Sequence, residues 1–261
     1  MGGNPDQRIY KKMKILIPNL YRRADKREMV LKSLTTQGYP MEDVHVINAH
    51  DCENYANLAC LVDAMVCGGW SCAKNWDIEK LGNETLTGDY DINQIPINPI
   101  AHLAFRWTYL DILKSIVNCS EPTLILLDDM KLTYPSESYF VVTNALHNLG
   151  GELLCLDPMV ESEDAELNIQ KGYYAPTEEA TYWTPEAAKR AIPMLLSNPY
   201  RVIGDRLRDV FPTDKMYSTF KQMAQTIKPK SELDSDIHIN SKSVFSYLTA
   251  DDPKDTEHGC K

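Results

Sequence analysis

Two adjacent aspartates, Asp128 and Asp129, directly follow an apolar run at 123–127 that reads TLILL. Such a run is typical of a strand that is buried on both faces of a sheet. In open α/β sheets, ligands bind in the crevice outside the carboxyl ends of the strands. Two carboxylates at that position favour a divalent cation and a phosphate-bearing ligand. The alternative from the local sequence is that they cap the next element or start a turn.

Basic side chains follow the first predicted strand, at 13–18. Arg22, Arg23 and Arg27 come just after its carboxyl end, close to Asn19. Guanidinium groups bind phosphate oxygens in a bidentate manner, and strand ends of this kind contact nucleotides. We therefore expect at least one of these arginines to bind a phosphate group. The alternative is that they begin a charged, solvated helix.

The elements that must position these side chains follow a strand, helix, strand pattern. Residues 24–37 carry an apolar stripe at helical spacing and precede Gly38, which predicts a helix and its end. Residues 43–48 alternate apolar and polar side chains, which predicts a second strand. A βαβ unit of this length has parallel strands and a right-handed crossover.

The rest of the chain also alternates helices and strands, which predicts the α/β class. We predict further helices at 100–117, at 139–149 and from Pro185 to about 196, and further strands at 152–156 and 180–183. Thr184 before Pro185 is a helix start, with a hydroxyl N-cap and proline at the first position. Residues 51–99 are rich in turn residues and predict an insertion or a cover of the active site. The simplest organisation is one domain over 1–248 and a flexible tail at 249–261.

Composition restricts the class of protein. The chain has 261 residues and a net charge of −10, which argues against a broad nucleic-acid or anionic-membrane surface. A local basic strip stays open as an alternative, formed by Lys215, Lys221, Lys228 and Lys230. The sequence has no apolar run of membrane-spanning length and no apolar core of a signal peptide. Its seven cysteines lack metal-type spacing. We therefore predict a cytoplasmic chain with free thiols.

Five segments, in order over roughly residues 13–240, resemble glycosyltransferase family 25, the lipooligosaccharide and collagen galactosyltransferase group. They are the strand exit ILIPNLYRRADKR, the helix start NPIAHL, the strand LILLDD, the aromatic strand and helix ATYWTPEAA, and the late segment LDSDIHI. Each segment alone is weakly specific, but the five in order are fairly specific.

The chain departs from the family pattern at two of these segments. The family usually has Glu-Asp-Asp after the third segment's strand, and here Leu127 precedes Asp128 and Asp129. The family's Gly-Cys-x-x-Ser-His helix start keeps its histidine as His102, whereas three other residues are replaced, by Asn98, Pro99 and Ala101. With these departures, the chain resembles a divergent member of the family.

The resemblance implies a GT-A type fold with a mostly parallel, Rossmann-like sheet flanked by helices. It also implies transfer of a hexose from a UDP-sugar to an acceptor hydroxyl, with inversion. A divalent ion, Mn²⁺ or Mg²⁺, held by carboxylates would neutralise the charge that builds up on the diphosphate leaving group. The acceptor stays open between a glycan, a hydroxylated side chain and a hydroxymethylated nucleobase.

The resemblance suggests which residues bind the metal and accept a proton. Asp129 is the first candidate metal ligand, and Asp128 is the second and also a donor contact. His238 is the third, because GT-A enzymes often complete the metal site with a late histidine. In an extended segment its side chain points the same way as that of Asp236, which is a candidate metal ligand or base. Asp205 is a further candidate for the base that takes the acceptor proton.

The resemblance also assigns donor contacts near the first strand and the second helix. Asn19 is expected to contact the base or ribose, and the arginines at 22, 23 and 27 the diphosphate. His102 lies at a helix start, where unpaired N–H groups and the positive dipole end suit a diphosphate. The alternative is a core histidine that is hydrogen-bonded to a carbonyl.

Two other functions stay open. The strand-end aspartates also suit a metal-dependent nucleotide hydrolase or nucleotidyltransferase. Leu127, in place of the family's glutamate, fits a catalytically weak module that binds a nucleotide sugar.

Overall fold

The computed structural model describes residues 13–83, 98–158, 168–171 and 179–227. The described elements, in chain order, are β1 (Lys14–Asn19), α1 (Ala24–Thr36), β2 (Val44–Asn48), α2 (Leu58–Cys67), α3 (Ile78–Asn83), α4 (Pro99–Cys119), β3 (Thr123–Leu126), β4 (Met130–Leu132), α5 (Ser136–Asn148), β5 (Leu153–Cys155), β6 (Ile169–Lys171), β7 (Ala180–Trp183), α6 (Pro185–Ser197), α7 (Ile203–Val210), β8 (Met216–Thr219) and β9 (Ala224–Thr226).

Seven of these strands form one mixed sheet, in the order β2-β1-β3-β7-β5-β8-β6. Strand β1 pairs in parallel with β2 and β3, and β5 pairs in parallel with β8. Strand β7 is antiparallel to its neighbours β3 and β5, and β6 is antiparallel to β8. The chain passes from β1 to β2 on one side and later returns to β3 on the other. The carboxyl ends of β1 and β3 therefore frame a topological switch point.

Helices cover both faces of this sheet. Side chains of a strand alternate between its two faces, so Ile15 and Ile17 of β1 enter one core and Leu16 enters the other. Helices α1 and α5 contribute Val30, Leu34 and other apolar residues to the first core. Helices α2, α4, α6 and α7 pack on the opposite face. The result is three layers, helix, sheet and helix, as expected for a sheet that is buried on both sides.

The predicted α/β class is confirmed. Five of the seven strands point the same way, β6 and β7 point the opposite way, and helices cover both faces of the sheet. The βαβ start is observed, and Gly38 follows the end of α1 by two residues, with a φ of 75° that favours glycine. The hydroxyl of Thr184 accepts a hydrogen bond from the main-chain N–H of Ala187 at 3.1 Å, as expected of an N-cap. The bounds of β7 agree with the prediction, and the other predicted ends are shifted by a few residues at most.

Residues 51–83 fold largely as helices. Leu61 and Met65 of α2 are buried in the core that α4 shares, so this segment packs against the main body. The remaining part of the predicted insertion, 84–97, lies outside the described residues. No helix in the described ranges combines the length and apolarity needed to cross a membrane.

A second, smaller sheet lies next to Asp128 and Asp129, the acid pair that follows β3. Strand β4 pairs antiparallel with β9, with Met130 opposite Thr226. Just past β9, the main-chain N–H of Ile227 donates to the carbonyl of Asp129 at 2.7 Å. The end of the described chain therefore lies against the residues that sequence reasoning singled out.

Candidate functional site

A cleft of about 110 Å³ opens at the carboxyl ends of β1, β2 and β3. Apolar side chains form most of its wall, and the two aspartates lie together in it. The lining residues are Pro18, Leu20, Lys26, Ala49, His50, Cys52, Ala101, Phe105, Leu127, Asp128 and Asp129. A concave, largely apolar site with a few polar groups is the usual form of a small-molecule site.

A hydrogen bond between Asn19 and Asp128 spans the switch point. The side-chain amide of Asn19 donates to Asp128 Oδ2 at 2.6 Å and to the carbonyl of Arg23 at 3.0 Å. Asn19 ends β1 and is 2% exposed, whereas Asp128 follows β3. A buried amide with two acceptors is held in one orientation. The structure thus brings together two residues that were predicted separately as donor contacts.

Asp128 and Asp129 occupy a tight turn between β3 and β4. The N–H of Met130 donates to the carbonyl of Leu127 at 3.0 Å, and the N–H of Leu127 donates to the carbonyl of Glu179 at 2.9 Å. The aspartates therefore start a turn, as the local alternative predicts, and they also line the cleft. Leu127 lines the same cleft and packs against the core formed with α1 and α5.

The donor set of the cleft suits a hard divalent cation. Carboxylate oxygens are the ligands that Mg²⁺ and Mn²⁺ prefer, and Mg²⁺ is commonly bound by one or two carboxylates with substrate phosphates and water. Within the described ranges, no three histidine, cysteine, aspartate or glutamate side chains are close enough together to hold a metal ion. Asp128 and Asp129 could therefore supply part of a metal site.

The predicted arginines lie beside the cleft, and carboxylates hold two of them. Arg22 Nε lies 2.7 Å from Asp51 Oδ2, which links the exits of β1 and β2. Arg23 forms an ion pair with Asp25 at 3.1 Å, and this hydrogen-bonded guanidinium lowers the pKa of Asp25 to about 2. Arg27 is half-buried on α1. None of the three arginines lines the cleft.

Among the described residues, the cation that lines the cleft is Lys26. Its side chain is buried, with an exposed residue fraction of 8%, between the arginines on the first turn of α1. The sequence carries no separate signal for Lys26, because it lies among arginines of the same charge. A lysine ammonium is a compact cation that also suits phosphate oxygens.

His102 is buried in the core on α4 and does not line the cleft. Burial, together with the nearby Arg106 guanidinium, lowers the pKa of His102 to about 3, against the opposite effect of the Pro199 and Arg201 carbonyls. The imidazole is therefore uncharged at neutral pH. The buried position of His102 therefore fits the alternative of a core histidine better than that of a diphosphate contact.

Asp205 lies on the first turn of α7 and does not line the cleft. Its carboxylate is 2% exposed and forms an ion pair with Arg208 at 3.2 Å. The structure therefore does not bring Asp205 together with the acid pair at the strand ends.

Several predicted residues lie outside the described ranges. They are Asp236, His238, Lys228, Lys230 and the predicted tail at 249–261. Of the other two lysines of the suggested basic strip, Lys215 donates to the carbonyl of Gly150 at 2.9 Å. The cysteines in the described ranges are free thiols, as predicted.

Sequence reasoning missed a histidine–aspartate pair in the cleft wall. His50 follows β2, and its Nε2 lies 3.0 Å from Asp111 Oδ2 on α4. Its ring stacks on Trp107, with the ring centroids 3.6 Å apart and an interplanar angle of 15°. Trp70 Nε1 donates to the other oxygen of Asp111 at 2.8 Å. The available signal was a histidine two residues after a predicted strand.

Comparison with protein-family models gave no match for this sequence, and comparison with curated proteins gave none either. The geometry of the cleft is therefore the basis for a functional assignment.

Proposed function

We propose that this chain is a metal-dependent glycosyltransferase of GT-A type that transfers a hexose from a UDP-sugar to an acceptor hydroxyl, with inversion. The observation that carries the proposal is an apolar cleft at the switch point that Asp128 and Asp129 line, with Asn19 hydrogen-bonded to Asp128. Nucleotides bind at this position in open α/β sheets. The cleft combines acidic groups for a metal ion with an apolar wall for a nucleobase.

In this proposal, the diphosphate of the donor lies at the turn that follows β3. Asp129, with Asp128 beside it, would hold Mn²⁺ or Mg²⁺. When bound there, such an ion would supply Lewis-acid stabilisation of the negative charge on the diphosphate leaving group. Lys26, in the same cleft, adds positive charge to the phosphate site. Asn19 keeps the Asp128 carboxylate in place through its 2.6 Å hydrogen bond.

Residues near the end of the sequence are proposed to complete the site. The hydrogen bond from Ile227 to the Asp129 carbonyl brings the chain next to the acid pair. Asp236 and His238 follow Ile227 by nine and eleven residues, a length of chain that spans about 30 Å when fully extended. We assign His238 as the third metal ligand and Asp236 as a ligand or the base. Asp205 is the weaker choice of base, because it is buried beside Arg208.

One observation favours a second candidate function. Leu127 lines the cleft with an apolar side chain at the position where the resembling family has a glutamate. The loss of that carboxylate removes one polar contact from the metal site. A module that binds a nucleotide sugar with little or no transfer would keep the cleft and tolerate this leucine.

The test is the release of UDP from UDP-glucose and UDP-galactose, with glycan, hydroxylysine-peptide and hydroxymethylated-DNA acceptors. We expect release with Mn²⁺ or Mg²⁺ and none with EDTA. Asp129→Ala should abolish release, whereas Asp63→Ala, at an exposed aspartate of α2, should leave it unchanged.

Three outcomes separate the candidates. Full activity of Asp129→Ala would refute the metal assignment. Binding of UDP without transfer to any acceptor would favour the binding module. Failure to bind UDP in the presence of either metal would overturn the proposed function altogether.

A further inference from the structure

His50 is held in one orientation by three contacts. Its Nε2 faces Asp111 Oδ2 at 3.0 Å, its ring lies flat on Trp107, and its main-chain N–H donates to Thr108 Oγ1 at 2.9 Å. Asp111 is itself fixed, because Trp70 Nε1 donates to its other oxygen. All these partners lie on α4 or in the segment that follows α2, so these two parts of the chain hold the ring of His50 in place.

This arrangement determines which ring nitrogen of His50 carries the proton. An ionised carboxylate only accepts hydrogen bonds, so Nε2 must donate to Asp111. In the neutral imidazole, Nδ1 is then an acceptor. Nδ1 makes no hydrogen bond within the described ranges, and the residue lines the cleft. The cleft wall therefore presents an acceptor with a fixed tautomer.

The position of His50 favours contact with the base of a nucleotide over contact with the reacting carbon. His50 follows β2 and the acid pair follows β3, and these strands flank β1. Neighbouring strands lie about 4.8 Å apart, so the two groups are about 10 Å apart across the cleft. A nucleoside attached to a diphosphate at the acid pair is long enough to reach His50 across this distance. Leu20 and Phe105 contribute apolar surface to the same cleft.

We propose that His50 recognises the nucleobase of the bound nucleotide, with Asp111 as the positioning residue that fixes its tautomer. Nδ1 would accept a hydrogen bond from the ring N–H of uracil, at N3. Cytosine has an unprotonated N3, so two acceptors would face each other. This inference rests on the proposed function, because it requires a nucleoside diphosphate in the cleft.

The experiment compares UDP and CDP binding to the full chain with Mn²⁺ by calorimetry. We expect the wild type to bind UDP about 10-fold more tightly than CDP, because the CDP complex leaves an acceptor unsatisfied. His50→Phe keeps a ring on Trp107 but removes Nδ1, so the preference should disappear. His45→Phe, at an exposed histidine of β2, is the matched control and should keep it.

Asp111→Asn provides a sharper test. Trp70 Nε1 can only donate, so it holds the carbonyl of the introduced amide, and the amide N–H₂ then faces His50 Nε2. Nε2 must then accept a hydrogen bond, so the ring proton moves to Nδ1. Nδ1 would donate to the unprotonated N3 of cytosine, and the base preference should change towards CDP. The ¹⁵N shifts of the His50 ring in the wild type report the tautomer without any substitution.

The outcomes are distinguishable. If the wild type binds no nucleoside diphosphate with Mn²⁺, the proposed function and this inference are both overturned. Equal binding of UDP and CDP by the wild type overturns the inference alone, as does an unchanged preference in His50→Phe. A lower turnover in His50→Phe with unchanged base preference would also overturn it and would assign His50 to proton transfer. A proton on Nδ1 in the wild-type spectrum contradicts the tautomer argument.

Discussion

Asn19 is the residue on which the geometry of the acid pair depends most directly. Asn19→Ala removes the donor to Asp128 and to the Arg23 carbonyl, and both acceptors are in partly buried positions. We expect the free energy of unfolding to fall by about 1–3 kcal/mol, the usual effect of unsatisfied buried acceptors. Denaturant unfolding measures this, and Mn²⁺-dependent UDP affinity should fall as well.

Asn48→Ala is the matched control for this change. Asn48 is the register partner of Asn19 on β2, but it is exposed. Its replacement should change the free energy of unfolding by less than about 0.5 kcal/mol, as most surface substitutions do. Equal effects of the two substitutions would contradict the role assigned to Asn19.

His102 gives the chain a specific dependence of stability on pH. Its pKa is lowered from 6.5 in the unfolded chain to about 3 in the folded chain, chiefly by burial. Between these values the unfolded state binds more protons, so stability falls as pH decreases from 6.5 towards 3. The slope is at most about 1.4 kcal/mol per pH unit for one group.

The measurement compares the wild type with His102→Asn, which cannot titrate in this range. We expect the wild type to lose about 1–2 kcal/mol more than the variant between pH 7 and pH 5, from urea unfolding at each pH. Carboxylates titrate in both proteins, so their contribution cancels in the difference. An equal loss of stability in the two proteins would show that the pKa of His102 is the same in the folded and unfolded states.

At the scale of elements, strand β9 and the residue after it connect to the acid pair. Ile227→Pro removes the N–H that donates to the Asp129 carbonyl, and Ile227→Ala keeps it. We expect the proline variant to bind UDP with Mn²⁺ about 10-fold more weakly than the alanine variant, from the loss of one main-chain hydrogen bond that positions Asp129. Calorimetric titration of the two variants decides this. Equal affinities would mean that the turn holds its shape without β9.

Periodicity along the sequence was sufficient to predict most elements and the strand-end position of Asp128 and Asp129. These signals are local, because alternation and helical spacing come from neighbouring residues. The sheet order beyond the first βαβ unit and the pairing of β4 with β9 depend on contacts between distant segments. The same is true of His50 and Asp111, which are separated by 61 positions. No local pattern could indicate that these two side chains meet.

At the scale of the molecule, ligand binding should stabilise the whole fold. The cleft joins the exits of three strands, so a bound nucleotide would favour the folded state over the unfolded chain. With UDP and Mn²⁺ at about 100 times the dissociation constant, the gain is about 2.7 kcal/mol. For a chain of this size, that corresponds to a rise in Tm of about 5–10 °C.

The metal should be necessary for this rise. The net charge of −10 disfavours an anionic ligand, and UDP itself is an anion. Differential scanning fluorimetry should therefore show little change in Tm with UDP and EDTA, and equally little for Asp129→Ala with UDP, with or without Mn²⁺. A full rise with UDP in EDTA would show that the cleft binds the nucleotide without an ion.

The turn that carries the aspartates is tied at three points of the main chain, at Leu127, Met130 and Ile227. Loops that bind ligands usually belong to the part of a protein that opens most easily. This turn should instead be rigid before any ligand arrives, so binding would cost it little conformational entropy. In hydrogen exchange, the amides of Met130 and Ile227 should therefore already be protected before any nucleotide is added.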